Sequence, residues 1–423
     1  MNTSVFWTFI VKIVMGMLGL YCAGIWKRTI PLLAWVIPVC LANGQTTEEE
    51  FLDQLIFGDD APLMEMPKPS SENTPSVSPP ALPKPSKWDK DFSFRLDLGY
   101  ADNVLLSPFA KDSSVFLRTS FDTFLYRPYS DKGFQTYLYA FGELNAYQDV
   151  ESMDFSSLFM VQNELAWMGQ DALESGLQLK YTFYDQVYDA SYNEFDQTSA
   201  TVQANQFELR PFLRAPAGEN GFVGAEFAGL RVLYEDSAED HYETHIRIFL
   251  GRHFSHGSKI ELELSGKRRE YDERTQRDRQ GIPLGGSLKR RSMGGGIQWT
   301  QHFSEHKLWS FHANAEFSGV LDNGLGYYDY NLSRGRISLA RQAGSWKATV
   351  KLGWSRYDYK AQLGDDGSSK LNRATWETSL LLERSFGSDW SWFLEWQREQ
   401  NKSNDRSYEY NANVVTIGGE RSL

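Results

Sequence analysis

The sequence predicts an all-β fold: a transmembrane, antiparallel, up-and-down barrel of about sixteen strands (range about 14–18) over residues 89–423. Three observations carry this expectation. Apolar residues recur with period two in segment after segment. The links between those segments alternate between short and long, as they do in a barrel with tight turns at one rim and larger loops at the other. The composition combines 14% aromatic residues (27 Phe, 21 Tyr and 13 Trp) with a mean hydropathy of −0.47. An apolar, aromatic outer belt around a polar interior satisfies both numbers, whereas a soluble globule does not.

The chain has 423 residues, and the first segment concerns targeting. Lys27 and Arg28 precede the apolar run Thr29 to Leu41, which ends in Ala42-Asn43-Gly44, the pattern of a signal peptide cleaved after Gly44. Residues 1–44 are therefore read as a signal peptide or targeting segment. An earlier apolar stretch, Val5 to Trp26, carries Lys12; either translation starts at Met15 or Met17, which we prefer, or this stretch is a membrane anchor. Residues 45–88 read as a periplasmic segment. Thr47 to Phe57 suits a short acidic amphipathic helix, and Ala61 to Lys87 is a Pro/Ser-rich linker that cannot bury a core. After Gln45 no uncharged apolar run approaches the ~18–20 residues of a transmembrane helix.

From Phe92 the strands follow in order. Phe92, Phe94, Leu96, Leu98 and Tyr100 alternate with polar residues, as do Val115 to Leu125, Phe159 to Trp167, Leu177 to Phe183 and Phe207 to Leu213. Val223 to Gly229, Ile246 to Leu250, Ile260 to Leu264, Met293 to Trp299 and Trp309 to Phe317 continue the set. Ile337-Leu339, Trp346 to Trp354, Trp376 to Leu382, Trp392 to Trp396 and Val415-Ile417 complete it. Phe134 to Tyr147 is a strand with apolar residues on both faces, so its orientation stays open. Short links are expected near 129–133, 169–173, 215–221, 255–258, 304–307, 343–345 and 387–389. Long ones are expected near 101–113, 148–155, 189–200, 235–241, 272–287, 321–328, 361–371 and 401–406. A two-sheet sandwich would alternate within strands too, but has no reason to alternate its link lengths.

Gly99-Tyr100-Ala101-Asp102-Asn103-Val104, at the end of the first strand, resembles the Gly-Tyr-x-Asp-Asn-Val signature of porin-like outer-membrane β-barrel proteins of Gram-negative-type bacteria. Tyr408 to Gly418 looks like the last strand of such proteins. The resemblance implies an outer-membrane location, a channel or export pore, and a C-terminal strand read by the barrel-insertion machinery. Those barrels commonly end in an aromatic residue; this chain ends Arg421-Ser422-Leu423, with Leu423 keeping the parity of Val415 and Ile417.

With the apolar set facing lipid, the intervening residues face the lumen. Arg247, Lys267, Arg269, Arg290, Arg334, Arg336, Lys347 and Lys351 then line it as basic candidates, with Glu377, Glu383, Glu395 and Glu399 as acidic ones. A basic wall facing an acidic one would set up a transverse field favouring anionic solutes; alternatively, the charges simply pair with each other. The expected partners are outer-membrane lipid and a polar solute or polysaccharide, with the barrel a monomer or a trimer. The net charge of −12 excludes a general nucleic-acid binder. Cys22 and Cys40 both precede the barrel, which leaves its body without thiolate chemistry. No cofactor, metal site or catalytic set is expected. The rival readings are a barrel that merely anchors surface loops, and an outer-membrane hydrolase built on Asp240, His241 and His245.

Overall fold

The computed structural model describes residues 88–423, apart from 110, 129–132, 149, 151–152, 170–171, 190–198, 255–256, 304–307 and 388, and apart from the side chains of 188, 189, 199 and 200. The signal peptide, the acidic segment and the linker lie outside the described residues. Sixteen strands follow one another: β1 (Asp89–Ala101), β2 (Ser114–Arg127), β3 (Phe134–Tyr147), β4 (Phe155–Met168), β5 (Glu174–Asp189), β6 (Ser199–Ala217), β7 (Gly221–Tyr234) and β8 (His241–His253). Then come β9 (Lys259–Arg277), β10 (Pro283–Phe303), β11 (Trp309–Asp322), β12 (Tyr330–Ala343), β13 (Trp346–Leu363), β14 (Lys370–Phe386), β15 (Trp390–Ser403) and β16 (Tyr410–Ser422). Each strand pairs antiparallel with its sequence neighbours, and β1 pairs with β16 to close the barrel. Closure satisfies the backbone without leaving an edge, the condition for crossing lipid with strands.

Following the registers once around the barrel advances the chain by about twenty residues along β1. With sixteen strands, that stagger corresponds to a strand tilt of roughly 40° and a backbone radius of roughly 16 Å. A cylinder of this size leaves room for water once its inward side chains are in place.

Parity decides the two faces. Leu96, Leu98, Ile246, Ile248, Leu250, Leu264, Met293 and Ile417 are exposed, while Asp97, Glu243, Glu261 and Thr416 on the alternate positions are buried. The apolar set therefore points out of the barrel. β3 is resolved in the same way: Leu144 is exposed and pairs with Thr119, so Leu138, Ala140, Gly142 and Leu144 face out. Tyr137, Tyr139, Phe141 and Glu143 face in.

The short links fall close to where the alternation put them, and β12 turns into β13 through Gly344 and Ser345, with Gly344 at φ +59°. One long link is corrected. Residues 272–287 were expected as a loop, but β9 runs to Arg277 and β10 starts at Pro283, leaving five residues between them. Arg274 and Arg277 sit on a strand; the polar stretch reads as loop because a hairpin standing beyond the lipid has no apolar face to show.

The seam between first and last strands carries its own clamp. Asp102 accepts hydrogen bonds from the Asn413 backbone N–H (2.6 Å) and side-chain amide (2.7 Å). Asn103, buried, donates to the Ser107 and Asn411 carbonyls and accepts from Ser107 N–H. Within the same motif, a Cβ on Gly99 would lie 2.2 Å from the Phe116 ring that covers it from β2. The Gly-Tyr-x-Asp-Asn segment thus does structural work where the barrel closes.

Candidate functional site

The inner wall is the candidate site. The register places Arg247, Lys267, Arg269, Arg290, Arg334, Arg336, Lys347, Lys351, Glu377, Glu383, Glu395 and Glu399 all on the inward set of β8 to β15. Their surroundings differ sharply.

Arg247 is enclosed by three carboxylates. Its Nε lies 2.7 Å from Glu263 Oε2, one Nη 2.5 Å from Glu261 and the other 3.5 Å from Glu226, while its guanidinium rests 4.6 Å from the Phe249 ring centroid. Arg269 (4% exposed) donates to Glu243 at 3.0 Å, and Lys267 reaches the same carboxylate at 3.3 Å. Arg290 (7% exposed) donates to the Tyr330 hydroxyl at 2.9 Å. These basic groups are held by neighbours along the wall. Lys347 pairs with Glu383 at 2.8 Å, and Arg334 lies 3.8 Å from Glu316. Lys351 is exposed and forms no ion pair among the described residues. The charge that faces the lumen most openly therefore lies on β13, at Lys347 and Lys351.

The acidic candidates are likewise engaged. Glu395 lies 3.4 Å from Arg95 and 3.9 Å from Arg118, and both arginines also contact Asp97. Glu399 sits directly opposite Glu377 across β14 and β15 and accepts from the Tyr410 hydroxyl. The expected basic and acidic walls interleave, with opposite charges on adjacent strands, so much of the transverse field is cancelled locally. Glu226, Glu243, Glu261, Glu263, Asp97 and Arg118 are site residues that the sequence reading did not single out. Their signal was present, because each alternates with an outward apolar residue.

The wall changes character toward the rim with the longer links. There Tyr330, Tyr357, Tyr359 and Leu371 are buried together with Val320, and Tyr184, Val202, Ala204 and Val232 form a second cluster on the far side. Arg274 stacks over Tyr271 and Tyr328, and Arg373 over Tyr357 and Tyr408. This rim is packed with aromatics that clasp arginines.

The loop 364–369 displays turn chemistry. Asp366 accepts from the backbone N–H groups of Ser368 and Ser369, which pulls its carboxyl down to about 2, and Asp365 accepts from Arg406 N–H. His241 is buried, with Nδ1 2.8 Å from the Glu239 carbonyl and its ring between Tyr234 and Tyr271. Asp240 is occupied by Tyr234 N–H and Arg231. The geometry therefore gives His241 a packing environment. Among the described residues no group of three or more His, Cys, Asp or Glu side chains could hold a metal ion.

No protein-family model and no curated protein matches the chain. Among solved structures, it is similar to Pseudomonas aeruginosa OpdK with vanillate, at 10% identity over 79% of this chain and 98% of that one, with a TM-score of 0.39. Acinetobacter baumannii OccAB1 gives 9% identity over 79% and 96%, with a TM-score of 0.41. OmpT, an outer membrane protein of Vibrio cholerae in its trimer form, gives 10% over 79% and 99%, with a TM-score of 0.42. The closed sixteen-stranded architecture itself stands on the strand register of this chain.

Proposed function

We propose that the chain is a porin-like channel of the outer membrane, giving polar solutes a water-filled path and favouring anions among them. The observation that carries the reading is the division of the two faces: aliphatic and aromatic residues outside, and an inner wall rich in charged and polar side chains. Such a wall keeps its water, and a barrel of this radius has space for it. The anion preference is supported by the inward placement of Arg334, Arg336 and Lys351 on neighbouring strands, of which Lys351 is exposed and has no ion pair among the described residues.

Planar-bilayer recordings of the purified full chain under a salt gradient test both parts. Stepwise conductance with a reversal potential on the anion side supports the proposal. A protein that migrates as a folded, heat-modifiable barrel yet gives no conductance above background overturns it and favours a surface anchor.

A further inference from the structure

We infer that the turn-end rim of the barrel carries a set of phospholipid headgroup sites, each made of an arginine held beside an aromatic ring. The inference rests on the barrel lying in a bilayer, not on its conducting.

The pattern is a repeat in the register. Trp309 at the start of β11 faces Arg341 at the end of β12, Trp346 at the start of β13 faces Arg384 on β14, and Trp390 at the start of β15 faces Arg421 at the end of β16. In each case the two are direct cross-strand partners on the outward face, with the guanidinium carbon 5.0, 5.1 and 5.3 Å from the ring centroid. Arg252, at the same rim on β8, lies 5.6 Å from the Phe254 ring. Consecutive tryptophan–arginine pairs stand two strands apart, roughly 12 Å along the circumference, far enough for each guanidinium to hold its own headgroup.

What separates these arginines from the lumenal ones is what they lack. Lumenal arginines such as Arg95, Arg118, Arg210, Arg214, Arg247 and Arg269 each have carboxylates within 4 Å. At the opposite rim several outward basic residues are paired as well, Arg231 with Asp272, Arg268 and Lys289 with Glu270, and Arg356 with Asp358. The outward cations there that have no ion pair among the described residues, such as Arg291 and Lys402, have no tryptophan beside them in a cation–π contact. Arg252, Arg341, Arg384 and Arg421 are exposed and have no ion pair among the described residues. A planar cation steadied by an aromatic face keeps its hydrogen-bond donors directed outward and suits a phosphodiester oxygen pair. Tryptophan settles at headgroup depth, which puts the guanidinium level with the phosphates. The ligand class is therefore the anionic phospholipid headgroup, and the occupied leaflet is the one on the side of the short turns.

Native mass spectrometry of the detergent-purified full chain, titrated with dioleoylphosphatidylglycerol or dioleoylphosphatidylcholine, tests this. The wild type should retain phosphatidylglycerol in preference to phosphatidylcholine. Each of Arg341→Gln, Arg384→Gln and Arg421→Gln should lower the phosphatidylglycerol affinity of its own site roughly fivefold. Arg341→Lys, which keeps charge but loses the planar fork, should retain part of it, and Lys351→Gln in the lumen should leave it unchanged. Unboiled gel migration confirms that each variant is a closed barrel. Equal retention of the two lipids by the wild type, or undiminished retention by the three single variants, overturns the inference. Channel conductance is recorded on the same samples, so a failed pore reading and failed lipid sites give separate signatures.

Discussion

Replacing Arg247 by Gln removes one cation from the centre of three carboxylates. In the wild type its guanidinium meets Glu263 at 2.7 Å, Glu261 at 2.5 Å and Glu226 at 3.5 Å, and the side chains of Glu226 and Glu261 are only 8% and 5% exposed. Glutamine keeps a donor but no charge, so the three carboxylates are left facing one another in a partly dry wall. Removing one partner of a buried ion cluster costs about 3–5 kcal/mol. Arg247 itself is 19% exposed to a wet lumen, which puts the expected loss near the lower end, about 3 kcal/mol at pH 7. Equilibrium urea unfolding in detergent micelles at pH 7, followed by tryptophan fluorescence, measures the loss. A deficit below about 1 kcal/mol would refute the view that Arg247 neutralises this cluster. The double variant Arg247→Gln/Glu263→Gln should recover part of the loss at pH 7, because one of the opposed charges is gone.

The remaining predictions concern the seam and the lumen. Asp102→Ala removes the acceptor for two Asn413 donors at 2.6 and 2.7 Å and should lower barrel stability by about 2–3 kcal/mol, read as an earlier loss of heat-modified gel migration; unchanged migration would count against the clamp. Gly99→Ala forces the Phe116 ring off the glycine it covers and should cost about 1–3 kcal/mol, and Phe116→Leu in the same chain should restore part of this. Lys351→Glu should move the reversal potential toward cations while leaving stability within about 0.5 kcal/mol, since Lys351 is exposed and has no ion pair among the described residues. A reversal potential that does not move would remove Lys351 from the conducting path.

Strand existence, order and facing were legible along the chain, because a half-buried strand must alternate and alternation survives in one dimension. Leu96-Asp97-Leu98 and Ile260-Glu261-Leu262 announce their two faces without any partner in view. Parity also set every lumenal candidate, from Arg247 to Glu399, on the face of its strand opposite the apolar set. Strand ends beyond the lipid were not legible, as 272–287 shows: outside the apolar belt a strand has no face to mark, and a polar hairpin looks like a loop. β3 was ambiguous for the opposite reason, with Tyr137, Tyr139 and Phe141 apolar enough to imitate a lipid face while pointing into the lumen.

The sequence by itself therefore determined the architecture, the inward and outward assignment of the strands other than β3, and the polar character of much of the interior, all of which follow from period-two patterning. Only the tertiary structure decided which charges meet. Arg247 lies on β8, Glu226 on β7 and Glu261 and Glu263 on β9, so their cluster depends on the stagger between three strands. Register between strands is set by the closing geometry of the whole barrel, and no local pattern encodes it. The same stagger brings Trp309 against Arg341, Trp346 against Arg384 and Trp390 against Arg421. It turned an expected field between two walls into paired clusters over much of the lumen, and set Arg341, Arg384 and Arg421 beside tryptophans on the outer rim.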